Sequence, residues 1–189
     1  MLGNGRPFII ELGEPKKAVS STQVFKIKEL ENNINNNSEH VKVKNIEVVG
    51  KEKFEEIRQG EENKLKVYAC IVWTEKFLEN SDIEKINSLA HLNLKQKTPI
   101  RVMHRRTLKT RDKTVLRMKA TMVNHHFFLL RLVTSGGTYV KEFVHSDFGR
   151  TVPSISSLLQ SKTDILQLDV LGLGWSLSEI EHLLDSEIE

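Results

Sequence analysis

Polar and apolar residues alternate along residues 64–73 (KLKVYACIVW), a run rich in β-branched and aromatic side chains that predicts a strand. Period two places Tyr68, Cys70 and Val72 on one face of it. Residues 41–49 (VKVKNIEVV) alternate in the same way and predict a half-exposed strand. Residues 114–123 and 126–134 read as two antiparallel strands joined near Asn124 and His125. Residues 165–171 read as another strand, and 6–12 as a short buried one. Helical spacing is found at Val24, Ile27, Leu30 and Ile34 within 20–34, and at Ile83, Ile86, Leu89 and Ala90 within 82–92. Residues 51–59 predict a short helix that Gly60 should stop, and 98–103 a brief extended run. Gly136-Gly137 marks a tight turn, followed by a helix over 139–148 that Gly149 ends, and 153–159 is a second short helix. Residues 176–188 form an amphipathic helix with a Ser176-x-x-Glu179 capping box. Strands outnumber buried helices and short turns connect them, which predicts an α+β fold: a mixed, mainly antiparallel sheet with flanking helices.

Composition changes this picture little, and charge changes it more. The 189 residues, 39% hydrophobic and 28% charged, suffice for one domain with a real core. No window approaches 18 apolar residues, so no membrane span is expected, and Met1 to Ile10 lacks the pattern of a secretory signal. Cys70 is the only cysteine, so an internal disulfide is impossible, a reducing compartment is expected, and the thiol reads as inert core. The net charge of +3 conceals an asymmetry. Residues 95–150 hold 13 Lys and Arg against three acids, Asp112, Glu142 and Asp147, a balance of +10, whereas no base follows Lys162. A basic block in an otherwise acidic chain is the footprint of a phosphate-facing surface; a solvated basic face without a partner is the plainer alternative.

Three local patterns could carry chemistry. After Gly136-Gly137, a helix start offers free N–H groups to an anion, with Tyr139 and Lys141 on its first turn; the plain reading is a strand–turn–helix joint with a snorkelling lysine. Tyr68 could stack on a base and offer a hydroxyl for proton transfer, or simply pack in the core. Arg101, His104, Arg105 and Arg106, followed by Lys109, Arg111 and Lys113, could grip phosphates. His125 and His126, if in a strand, point to opposite faces; no metal-ligand spacing is present, and no metal is expected. Gly3-x-Gly5 is too short for a nucleotide-binding fingerprint.

Four stretches together resemble the tenth pseudouridine synthase family of archaea and eukaryotes: residues 2–8 (LGNGRPF), 64–73, 97–106 (KTPIRVMHRR) and 137–154 (GTYVKEFVHSDFGRTVPS). Residues 164–170 (DILQLDV) are similar to the family's closing strand, so the resemblance covers 1–170, read as the C-terminal part of a catalytic domain. The remaining 171–189, an acidic helix packed on or trailing from it, departs from the family's ending. The resemblance implies a tRNA pseudouridine synthase acting on uridines 54 and 55 of the TΨC arm, with tRNA as partner and no cofactor, in the cytoplasm, the nucleus or both. It implies that Lys141 is the basic partner of the nucleophilic aspartate, Tyr68 the active-site tyrosine and Tyr139 a second uridine contact. Arg101, His104, Arg105, Arg106 and Arg150 would then hold RNA. The family's aspartate lies just before the Leu-Gly-x-Gly-Arg-Pro stretch, which here would fall before Met1, so the chain alone is expected to be inactive. A non-catalytic RNA-binding remnant and an inert fragment are the alternatives.

Overall fold

The computed structural model describes residues 8–14, 16 and 24–185. Most of the strand expected at 6–12 falls among the described residues, and 8–12 carry no regular secondary structure. The Gly3-x-Gly5 pattern, the cap candidates before Val24 and the end of the helix expected at 176–188 lie outside the described residues. The described residues form two compact units, one up to Gln59 and one from Gly60 onward.

The smaller unit holds helix α1 (Val24–Asn37) and most of helix α2 (Lys51–Asn63). The strand expected at 41–49 does not form. Its backbone is held instead by side chains of α1: the Asn35 amide donates to Val43 O (2.8 Å) and accepts from Val43 N–H (2.7 Å), and Glu31 Oε2 accepts from Ile46 N–H (3.2 Å). Val41 and Val48 stay exposed, and among the described residues no strand pairs with this segment. Helix α2 runs through Gly60 rather than stopping at it.

In the larger unit, six strands pair antiparallel in the order β5-β2-β3-β4-β1-β6. They are β1 (Leu65–Thr74), β2 (Ala90–Lys97), β3 (Thr110–Asn124), β4 (Phe127–Thr134), β5 (Thr151–Val152) and β6 (Thr163–Gly174). The alternation along β1 sorts its side chains as expected. Tyr68, Cys70 and Val72 join Phe128, Leu130 and Leu132 of β4 in the main core. That core is closed by Ile86 of α3 (Asn80–Asn87), by Val140, Phe143 and Val144 of α4 (Val140–His145), and by Ile155 and Leu159 of α5 (Ile155–Leu159). Each such fully buried apolar side chain contributes roughly 1.5–3 kcal/mol. Burial pushes the Cys70 thiol up to about 12, so it is inert at neutral pH.

On the opposite face, Val67 and Val133 meet Ile180 and Leu184. These come from α6 (Leu177–Ile180) and the 3-10 turn Glu181–Leu184, which replace the single longer helix expected there. The expected capping box is not made: Glu179 Oε2 accepts from Trp175 N–H (2.9 Å), one residue early. The boundary expected at 170/171 falls inside β6. Gly172 and Gly174 let this C-terminal element close on that strand, since a Cβ at either would lie about 2.5 Å from Leu183 or Ile180 side-chain carbons (2.5 and 2.4 Å). Two further expectations change. The helix of 82–92 ends at Asn87 and β2 follows, and residues 98–103 contain a 3-10 turn (Ile100–Val102) rather than an extended run. His125 and His126 sit in the β3–β4 turn, not in a strand. Both face the same loop: His125 Nδ1 lies 3.1 Å from Leu78 O and His126 Nδ1 3.1 Å from Thr74 O.

Candidate RNA-binding and uridine site

The site assembles where the 97–106 segment meets α4 and the turn after it. The Gly136-Gly137 turn delivers the chain from β4 into α4, with Gly137 at φ +71°, a left-handed conformation that glycine adopts without strain. Lys113 Nζ donates to Gly136 O (2.7 Å) from β3. Tyr139 is then fixed by Gln96, a fully buried amide of β2. Gln96 Oε1 accepts from Tyr139 N–H (3.0 Å) and Gln96 Nε2 donates to Tyr139 O (3.0 Å). The Tyr139 N–H is therefore occupied, and α4 has six residues. Beside the free N–H groups of this helix start the geometry offers something more definite.

That feature is an aromatic ring with two guanidiniums near it. Arg101 Cζ lies 5.9 Å and Arg111 Cζ 6.0 Å from the Tyr139 ring centroid. Each cation has its own anchor. Arg101 donates through Nε (2.7 Å) and Nη2 (3.3 Å) to the two carboxylate oxygens of Glu142, whose side chain is 2% exposed against 51% for Arg101. This hydrogen bonding holds the Arg101 guanidinium firmly charged against the opposing effect of burial. Arg111 Nη1 donates to Thr98 Oγ1 (2.9 Å), and Arg150 Nη2 donates to Thr98 O (2.8 Å). Arg150 Nε lies 3.4 Å from Asp147 Oδ2, and the same oxygen accepts from Ile100 N–H (3.2 Å).

The three acids of the basic segment thus each take one base: Asp112 with Lys95 (3.0 Å), Glu142 with Arg101 and Asp147 with Arg150. Arg101, half exposed, and Arg150, largely buried, both carry internal duties. His104, Arg105 and Arg106 are exposed beyond the 3-10 turn and have no ion pair among the described residues. Lys141 is exposed on the first turn of α4, also without an ion pair among the described residues. Tyr68 is half-buried in the middle of β1, opposite Leu132 of β4 and Val170 of β6, and packs on the core that Val140, Phe143 and Val144 also enter. Sequence reasoning missed the supporting roles of Gln96, Thr98, Glu142 and Asp147, and read Arg111 only as a phosphate grip and not as a neighbour of the Tyr139 ring. The signal was the presence of acids inside a basic block, where each has a cation to answer.

The Arg101–Glu142 pair yields an expected result. Arg101→Ala strands a buried carboxylate and should cost about 3 kcal/mol in urea unfolding. Adding Glu142→Gln should restore most of it. An additive double variant would mean that the pair is not coupled.

The comparisons with known proteins point one way. The family described as Pus10, C-terminal, matches residues 1–173. The chain is 46% identical over 169 residues to the human protein named tRNA pseudouridine synthase Pus10, covering 89% of this chain and 32% of that one. It is 43% identical over 169 residues to the mouse protein of that name, with the same coverage, and 37% identical over 172 residues to the one from Pyrococcus furiosus, covering 90% of this chain and 42% of that one. The chain spans about a third of the length of the first of these relatives. With the 97–106 and 137–154 segments converging on one surface and a match over nearly the whole sequence, this chain belongs to the Pus10 C-terminal family.

Proposed function

We propose that this chain is the part of a tRNA pseudouridine synthase that supplies the uridine-pocket tyrosines and the basic surface, and that it acts with an aspartate carried ahead of these residues. The observation that carries the reading is the Tyr139 ring with Arg101 and Arg111 both close to it, inside a stretch matched by relatives named as tRNA pseudouridine synthases. Isomerisation breaks the N-glycosidic bond, turns the uracil and rejoins it through C5. A carboxylate attacks the sugar or takes a proton from it, and it must stay ionised, which calls for a cation against it. Lys141, exposed and unpaired among the described residues, has that task. Tyr68 stacks on the extruded uracil and handles the C5 proton, and Tyr139 gives a second contact. Arg105, Arg106 and His104, with the outward edges of Arg101 and Arg150, grip the folded tRNA by its phosphates. The substrate positions are uridines 54 and 55 of the TΨC arm.

Unmodified tRNA incubated with the 189-residue chain should yield no pseudouridine, while a form extended to include the aspartate should yield it at 54 and 55. Product from the chain alone would show that the nucleophile lies within it. Arg105→Ala with Arg106→Ala should weaken tRNA binding and flatten the log–log salt dependence by about two units, one for each phosphate contact. Unchanged affinity and slope would reduce the basic surface to a solvated face.

A further inference from the structure

Phe148 is 94% exposed, the most solvent-facing of the large apolar residues described. Its backbone explains why it does not turn inward. Ser146, Asp147, Phe148 and Gly149 all have positive φ (68°, 51°, 56° and 79°), and non-glycine residues rarely adopt this conformation even singly. The turn is fastened on every side. Asp147 N–H donates to His145 Nδ1 (3.1 Å), Gly149 N–H to Ser146 Oγ (3.3 Å) and Thr151 N–H to Ser146 O (3.0 Å). The buried Asp147 carboxylate ties it to Ile100 N–H (3.2 Å), and Lys97 N–H donates to Arg150 O (3.0 Å). A rigid, left-handed turn therefore holds one bare aromatic ring in water.

The same bonds join this turn to the segment that bears Arg101, His104, Arg105 and Arg106, all exposed. A ring with a π-face beside several guanidiniums suits a nucleotide: the ring takes the base and the cations take the phosphates. A protein partner would want a broad apolar area, whereas the exposed Ile100 and Met103 of that segment are interrupted by Arg101, His104, Arg105 and Arg106, and Phe148 itself is followed by exposed Gly149.

We propose that Phe148 is a stacking platform for an unpaired nucleobase of the bound RNA, separate from the uridine being isomerised. The idea rests on the RNA-binding reading above and adds a contact to it. The test uses the full 189-residue chain with two probes, an unmodified tRNA transcript and a single-stranded oligouridylate, and the variants Phe148→Ala, Phe148→Leu and Phe148→Trp. None is branched at Cβ, so the turn is strained no further, and unchanged thermal unfolding checks that the fold is kept.

Alanine and leucine should weaken binding of both probes by about five- to a hundredfold with no change in salt slope, because no phosphate contact is lost. Tryptophan should retain affinity, and the emission of Phe148→Trp should be quenched by RNA beyond any quenching of the wild-type chain. Leucine binding as well as phenylalanine, or no added quenching, overturns the stacking role while leaving the proposed function standing. Stacking on oligouridylate with no preference for tRNA upholds the platform and overturns the tRNA reading. A wild-type chain that binds neither probe overturns both.

Discussion

In the enzyme that carries the aspartate, Tyr68→Phe should bind tRNA as tightly as the unaltered protein and react about 10²–10⁴-fold more slowly in a single turnover. The substitution keeps the ring and removes one hydroxyl. Tyr68 lies mid-strand, paired on both sides to β4 and β6, so a phenylalanine there sits where the tyrosine sat. The result separates two roles. If stacking is the whole contribution, phenylalanine stays nearly active and only loss of the ring is harmful. Alanine is the wrong probe for that loss, because the ring packs on the main core and its removal should cost about 3 kcal/mol of stability. Tyr68→Leu keeps most of the apolar packing and loses the aromatic face, so it reports on stacking with less damage to the fold. Near-normal rates for both variants would place the pocket elsewhere.

Lys141→Ala should reduce the same single-turnover rate by about 10²–10⁴-fold. An active-site carboxylate left without its cation loses roughly 3–5 kcal/mol, and each 1.36 kcal/mol is a factor of ten. Lys141→Arg should recover part of the rate, since a guanidinium supplies the charge in a different shape. In the 189-residue chain the outcome differs sharply. Lys141 is exposed and without an ion pair among the described residues, so its removal should change unfolding by no more than about 0.5 kcal/mol. A large loss of stability in the chain alone would show that Lys141 has a structural partner here.

What the sequence made legible follows from range. β1 and the β3–β4 hairpin obey short-range rules, alternation and a polar turn, and they formed as expected. β2 was hidden because Leu89 and Ala90 continue a helical spacing from Ile83 and Ile86, although Leu92, Leu94 and Gln96 alternate inward after them. Residues 41–49 show the converse. Their alternation is as regular as that of β1, but alternation describes one strand and says nothing of a neighbour to pair with; without one the segment hangs on Asn35 and Glu31. The site divides in the same way. Tyr139 and Lys141 are visible in a contiguous motif. The Glu142 partnership with Arg101 spans 41 residues and could be seen only once the 3-10 turn and α4 were side by side. Gln96, a polar residue at 0% exposure, has meaning only through the tyrosine backbone it clamps.

The strand order leaves β6 at one end of the sheet, twelve residues long, with one edge unpaired among the described residues. Long open edges invite a second copy to dock by backbone hydrogen bonding. Here that strand carries Asp164 and Asp169 with exposed side chains, and no lysine or arginine follows Lys162 to neutralise them. Two β6 edges brought together would set negative charge against negative charge. The acidic stretch after Lys162 therefore acts as an insulator: it leaves this rim of the sheet poor at pairing with a second copy and repellent to other anions, at the end away from β2 and β5.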